Sequence, residues 1–216
     1  KVGFLFVWSR MTIIQPGSIA MLAFVFGDYL SQILPWGRSA HSLYAALSIV
    51  TLTALNLMGA QKGKHTQNLL TTIKLIGLFS VVAVGLLFPS SPSPMVAINP
   101  NPESSFGLAM VFVLLTFGGW NEAVYVSAEL HEGRQNMVPA LIGGIGIITV
   151  IYLLMNLAYL RGLGLIEMGQ SEVVAADLTR RILGQGGAKF ISLLIIVSAL
   201  GAINASLLTG CRTNYA

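Results

Sequence analysis

The chain has 216 residues, of which 55% are hydrophobic and only 9% charged, with a formal net charge of +4. A soluble domain carries about 25% charged residues, so this composition excludes an ordinary water-soluble globule and points to a protein embedded in a membrane. The basic balance does not call for a nucleic-acid partner, because Lys and Arg sit mainly at the ends of apolar segments and in connections, where lipid headgroups and topology account for them.

Several apolar segments approach or exceed the roughly 20 residues that a helix needs to cross about 30 Å of hydrocarbon. The alternating strands of a membrane barrel are absent. The expected fold is therefore an all-α polytopic membrane protein forming a single transmembrane domain over residues 1–216. The first span, about residues 2–34, would be close to 50 Å long and must tilt or bend. Gln15-Pro16-Gly17 supplies the bend, since proline removes a helical hydrogen bond and clashes with the preceding turn. Arg10 and Asp28 lie about 27 Å apart along that helix, too far to pair within it. They are expected at the two interfaces or against other helices.

Pro35-Trp36-Gly37-Arg38 reads as a turn with Trp36 as an interfacial anchor. The second span is short, about 43–58, and the connection Gly59 to His65 leads into the third, about 66–88, which carries Lys74. Pro89 to Ser105, with five prolines, reads as an ordered or extended surface loop. A fourth span covers about 106–130, and a fifth about 138–160, in which Gly143, Gly144 and Gly146 are expected to give close helix contact. Residues 171–183 form an amphipathic surface helix: Ser171 caps it, Val174, Leu178 and Ile182 share a face, and Gly184 ends it. The sixth span covers about 190–211.

Six crossings put both termini on one side. Charge does not say which, because Lys1, Lys62, Lys64, Arg134 and Arg212 on one face balance Arg38, Arg161, Arg180, Arg181 and Lys189 on the other. The single cysteine, Cys211, has no partner for an internal disulfide and reads as a structural thiol. A chain that starts at Lys1 and ends directly on an apolar helix reads as a fragment, incomplete at both ends, with no cleavable signal before the first span.

The fourth span holds the residues that carry chemistry. Its middle reads Thr116-Phe117-Gly118-Gly119-Trp120-Asn121-Glu122, and such a run is costly in a lipid-facing helix. Each glycine costs about 1 kcal/mol against alanine, and a carboxylate near the bilayer centre about 2.5–3.5 kcal/mol on the insertion scale. A local unwinding there frees backbone carbonyls and amides at membrane depth, which is tolerable only where they face protein, water or a ligand. The alternative is that the glycines only let a neighbouring helix approach. Trp120 offers an apolar wall or gate, and Asn121 both a donor and an acceptor, against plain packing and a helix-to-helix hydrogen bond. Glu122 is protonated in place, paired with a base or part of a polar network. Lys74 is a buried amine serving as a fixed charge or proton site, or it snorkels to the interface. Glu129, His131, Glu132 and Arg134 read as a solvated interfacial cluster. His41, His65 and His131 fall in separate connections without metal-ligand spacing, and no nucleophile motif or phosphate-binding loop occurs, so no enzyme, metal or cofactor is expected.

These residues resemble a known family. Phe117 to Tyr125, then Glu129, then Arg134-Gln135-Asn136-Met137-Val138-Pro139, is similar to the sixth helix and following loop of the amino acid, polyamine and organocation transporters, especially the L-type branch and its bacterial relatives. Leu55-Asn56-Leu57-Met58-Gly59 through Gln67-Asn68-Leu69-Leu70-Thr71 to Lys74 resembles the fourth-to-fifth helix region, and Ser198 to Asn204 and on to Arg212 the eighth. Glu132-Gly133 stands where the family often has Asn-Pro, and the spacing to Pro139 is one residue longer. The resemblance implies that the chain is helices three to eight of a fold of two inverted five-helix repeats with a discontinuous helix, and that it lacks the first helix. It places the Lys62 and Arg134 loops in the cytoplasm of a cell whose plasma membrane holds the protein. It implies secondary transport by alternating access, with neutral amino acids as substrates and membrane lipids as surroundings; it names no accessory subunit. Polyamine or other organocation transport, a channel and a membrane scaffold are the alternatives. By the same resemblance Thr116, Phe117 and Gly118 present carbonyls to the substrate ammonium, with Gly119 completing the break. Trp120 and Asn121 line the pocket, and Lys74 occupies the place of a sodium ion; Glu122, from its own chemistry rather than the resemblance, is a second candidate coupling group. That implies sodium-independent exchange or proton coupling.

Overall fold

The computed structural model describes residues 2–37, 39–58, 60–88, 106–119, 133–171 and 173–213, and every regular element among them is helical. Helix α1, Val2–Ser9, runs through a π-helical turn, Arg10–Ile14, into α2, Gln15–Ile33. The irregularity expected at Gln15-Pro16-Gly17 thus falls just ahead of it. Pro16 has no N–H for the Thr12 carbonyl and its ring presses on that group, and Thr12 lies inside the wider turn.

A turn with Gly37 at φ +90° leads into α3, Ala40–Leu57. The Tyr44 hydroxyl donates to the Leu34 carbonyl at 3.0 Å, closing the α2–α3 hairpin. Gly27 faces the His41 backbone carbonyl so closely that a side chain there would meet it. Helix α4 is Ala60–Leu87, so the stretch expected as a connection as far as His65 is already helical from Ala60. Helix α5, Phe106–Thr116, buries none of its residues. Helix α6, Gly133–Gly162, carries Pro139 within it. The short α7, Leu165–Gln170, and α8, Val174–Leu183, lead to α9, Gln185–Thr213. Among the described residues, five stretches are long and apolar enough to cross a membrane: Gly3–Ile33, Ala40–Leu57, Gly63–Leu87, Met137–Gly162 and Gln185–Gly210.

Helix α9 is the central post, because residues from it enter all three buried clusters among the described residues. Ile196 and Ala199 pack with Phe26, Ala40 and Tyr44. Ile203 packs with Ala23, Ala45 and Leu52. Ile191 packs with Val81, Leu163 and Leu178. The first two clusters join α9 to the α2–α3 hairpin, and the third joins it to α4, α8 and the residues after α6.

Three local expectations change. Helix α8 is not simply laid on the surface: Leu178 and Thr179 are fully buried, and Val174, Leu178 and Ile182 share one cluster with Val81 and Ile191. Ser171 does not cap it. Val173 holds the N-cap position, while the Ser171 hydroxyl donates to the Asp177 carboxylate at 2.5 Å. A side chain built at Gly143, Gly144 or Gly146 would meet nothing within 4 Å, so these glycines are not close helix contacts among the described residues. The tight approach of α6 lies further along, where Gly85 of α4 faces Ala158.

Candidate functional site

Helix α5 stops within the glycine-rich run that interrupts the fourth apolar stretch. The Thr116 hydroxyl donates to the Phe112 carbonyl at 2.8 Å, and the Phe117 N–H to Val113 at 3.2 Å, so the α-helical ladder persists to Phe117. The Gly118 N–H then turns to the Leu115 carbonyl, three residues back rather than four, at 3.0 Å. That tightens the last turn and takes the donor away from Leu114. Gly119 follows at φ +94°, in the region that favours glycine. The break is thus a helix end closed by a short turn and a left-handed residue.

The turn rests on α6 through Tyr152. The Tyr152 hydroxyl donates to the Thr116 carbonyl at 3.2 Å. Its ring also meets Phe117 edge-on, with centroids 5.3 Å apart and planes at 75°. One of the carbonyls expected to face a solute therefore already accepts a hydrogen bond. A carbonyl oxygen has two lone pairs, so it retains capacity for a second donor such as an ammonium group. Trp120, Asn121 and Glu122 lie outside the described residues, as do the Pro89 to Ser105 loop and Glu129, His131 and Glu132.

Lys74 does not join this turn. It is half-buried on α4, which packs on α9 in an antiparallel register. Gly63 lies beside Leu208, Gln67 bonds Asn204, Leu70 meets Gly201, and Gly77 meets Leu194. Each step along α4 is matched by an equal step back along α9, which places Lys74 opposite Val197. Helix α6 connects the two regions, since Tyr152 holds the turn and Ala158 packs on Gly85 of α4.

A buried group of amides lies farther along the same seam. Asn204 is fully buried. Its amide nitrogen donates to the Gln67 side-chain oxygen at 2.9 Å and to the Gly63 carbonyl at 3.3 Å, and its oxygen accepts from Asn56 at 2.8 Å. The same Asn56 nitrogen donates to the Leu52 carbonyl at 2.8 Å. These contacts tie α3, α4 and α9 together. Beside them, Gln15 of α2 donates to the Ser206 carbonyl at 2.6 Å and to the Thr209 hydroxyl at 3.4 Å. Arg10 is 5% exposed, so it packs against protein, and it lines a cavity of about 360 Å³ with Gln15, Ser206 and Gly210. A cavity of about 750 Å³ lies elsewhere, where α2 (Tyr29, Gln32) meets α8 (Asp177, Arg180) and α9 (Lys189, Ser192). Arg180 lies 3.4 Å from Asp177 there, and Arg181 of α8 pairs with Glu167 of α7 beside it.

The profile of the amino acid permease family matches residues 1–216. The chain belongs to that family. The chain is 28% identical to the b(0,+)-type amino acid transporter 1 of Mus musculus over 221 residues, which is 98% of this chain and 45% of that protein. It is 28% identical over 218 residues to the serine/threonine exchanger SteT of Bacillus subtilis (strain 168), covering 99% of this chain and 49% of the exchanger. The Mus musculus large neutral amino acids transporter small subunit 2 is 27% identical over 226 residues, covering 99% and 42%. The chain spans about half the length of the curated relatives it matches.

The family is non-enzymatic, and its members move solutes rather than transform them. Sequence reasoning gave no role to Asn204, Asn56 or Gln67, although all three fall inside the stretches that carry the family resemblance. Amides in otherwise apolar spans were the available signal, because such groups need partners inside the membrane. Tyr152 had no comparable signal: one aromatic residue in an apolar helix does not announce a distant carbonyl.

Proposed function

We propose that this chain supplies helices three to eight of a longer plasma-membrane permease that carries neutral amino acids by sodium-independent exchange or proton-coupled uptake. The observation that carries this reading is the helix end at Thr116, with Gly119 at positive φ, inside a chain whose whole length matches the permease family. A broken membrane helix presents main-chain oxygens where no lipid-facing helix would leave them. In this reading the Thr116, Phe117 and Gly118 carbonyls take the ammonium of an amino acid. Gly119 allows the chain to turn away. Trp120 and Asn121 wall the side-chain pocket, and Glu122 and Lys74 couple solute movement to a charge or a proton.

Discrimination follows from the same groups. Carbonyl oxygens satisfy one ammonium, and a neutral wall adds no charge for a second. A polyamine would bring a further unpaired cation into a low-dielectric site, at a cost that binding must overcome. Lys74, as a fixed positive charge where related transporters hold sodium, removes the need for that ion. Alternating access then requires one group of helices to rock against another around the loaded site.

The test is uptake by the reconstituted full-length transporter, with labelled neutral amino acids and a labelled polyamine, in sodium and in choline buffers. Neutral amino acids are expected to enter equally in both buffers and the polyamine to be excluded. Uptake that stops in choline overturns sodium independence, and uptake of the polyamine alone overturns the substrate assignment.

A further inference from the structure

Where α4 meets α9, the contacts around Lys74 are apolar. Leu70 and Gly77 of α4 meet Gly201 and Leu194 of α9, and Val81 shares a cluster with Ile191. Leucine against glycine supplies contact area but little directionality, and lipid provides no hydrophobic force to choose one register over the next. A slip of one helical turn moves a side chain about 5.4 Å along the membrane normal. For a group acting as a fixed charge at one depth, such a slip removes the function.

Directional contacts lie two turns away. Asn204 uses both amide hydrogens on α4, one on the Gln67 oxygen and one on the Gly63 carbonyl, and its own oxygen accepts from Asn56 of α3. Being fully buried, it has no water to replace a lost partner. Sliding α4 by one turn would break the contacts to Gln67 and Gly63 together. Gly63 adds a steric stop, because a β-carbon at that position would meet both the Asn56 side chain and Leu208. Single buried amides fix the register of packed helices elsewhere by the same physics.

We propose that Asn204 is a positioning residue for Lys74. Through Gln67 and the Gly63 carbonyl it holds α4 on α9 in the one register that sets Lys74 opposite Val197. The inference rests on the transport reading for the use made of Lys74, but the register itself does not.

Two readouts separate these points, both in the full-length protein. The first is structural: in a cysteine-free background, Lys74→Cys is combined in turn with Val197→Cys, Leu193→Cys and Gly201→Cys, and the pairs are cross-linked with mercuric ion. With Asn204 intact, the pair at 74 and 197 is expected to dominate; with Asn204→Leu, cross-linking spreads to 193 or 201. The second is transport by the Lys74-containing protein. Asn204→Leu is expected to reduce turnover to the level of Lys74→Ala without changing KM, and the two substitutions together to reduce it no further. The exchange of Asn204→Gln with Gln67→Asn, which keeps an amide pair and the total volume, is expected to restore turnover. Cross-linking that stays confined to 74 and 197 in Asn204→Leu overturns the proposal, as do losses that multiply in the double variant. If Asn204→Leu does not reach the membrane, Gln67→Leu, at a part-buried position, is judged by the same outcomes. Cross-linking confined to the 74 and 197 cysteine pair with Asn204 intact, together with a wild-type protein that carries no amino acid, contradicts the transport reading and leaves the register standing.

Discussion

Adjacent glycines at the start of α9 make opposite predictions. Gly187 is buried against α8: a β-carbon there would meet the Thr179 carbonyl oxygen, would lie 2.5 Å from its carbon and 3.0 Å from Thr179 Cβ. Ordinary carbon contacts are about 3.5–4.0 Å, so Gly187→Ala requires α8 to retreat by about 1 Å. The obstacle is backbone, which no rotamer change relieves. Thr179 and Leu178 are both fully buried and would move with it, and overpacking of this kind costs about 1–3 kcal/mol. Gly186→Ala meets nothing within 4 Å. It gains the same helix propensity, up to about 1 kcal/mol, without the clash, so the difference between the two variants isolates the steric term. The assay is thermal unfolding of the purified protein in detergent, followed by helicity. Gly187→Ala is expected to melt below wild type and Gly186→Ala at or above it. Equal melting of the two variants would refute the close approach of α8 to α9.

Trp120→Ala in the full-length protein is expected to abolish uptake while leaving surface expression intact, and normal uptake would remove its role as gate and pocket wall. Lys74→Ala is expected to slow transport at an unchanged protein level; an unchanged rate would return Lys74 to the role of an amine that reaches the interface. Tyr152→Phe deletes the hydrogen bond to the Thr116 carbonyl and keeps the ring contact with Phe117, at a cost of about 1 kcal/mol, or about fivefold in KM. Tyr152→Leu loses the ring contact as well and is expected to raise KM further; equal effects of the two would show that the aromatic edge does not hold the turn.

The apolar segments were legible because length and composition alone decide whether a helix can cross hydrocarbon. The end of α5 was legible for a related reason: Gly118-Gly119 is costly within a membrane helix, and the structure closes it with a turn and a positive φ at Gly119. The exact accommodation of Pro16 was not. Proline announces a lost hydrogen bond, but whether the chain kinks or widens into a π turn depends on what packs beside it, and here Gln15 is anchored to Ser206 of α9. The helical start at Ala60 was also hidden, since Gln61-Lys62-Gly63-Lys64 has the polarity of a loop and the contacts to Gly63 come from Asn56 and Asn204. Glycine showed the same limit twice. Gly143, Gly144 and Gly146 looked like a packing motif and face open space among the described residues, whereas the isolated Gly27, Gly77 and Gly85 are among those pressed against neighbours. Spacing reveals which residues share a face of a helix. It does not reveal which face another helix has taken.

Whether the full-length protein binds an amino acid and carries it by alternating access is decided by counterflow. Liposomes holding the full-length transporter are loaded with an unlabelled neutral amino acid, diluted into a labelled one, and compared with empty liposomes in the rate of label entry. Internal amino acid is expected to accelerate uptake, with a transient accumulation of label above the external concentration. Entry at the same rate with or without internal solute would contradict exchange, and rapid equilibration without any overshoot would assign the broken helix to a channel.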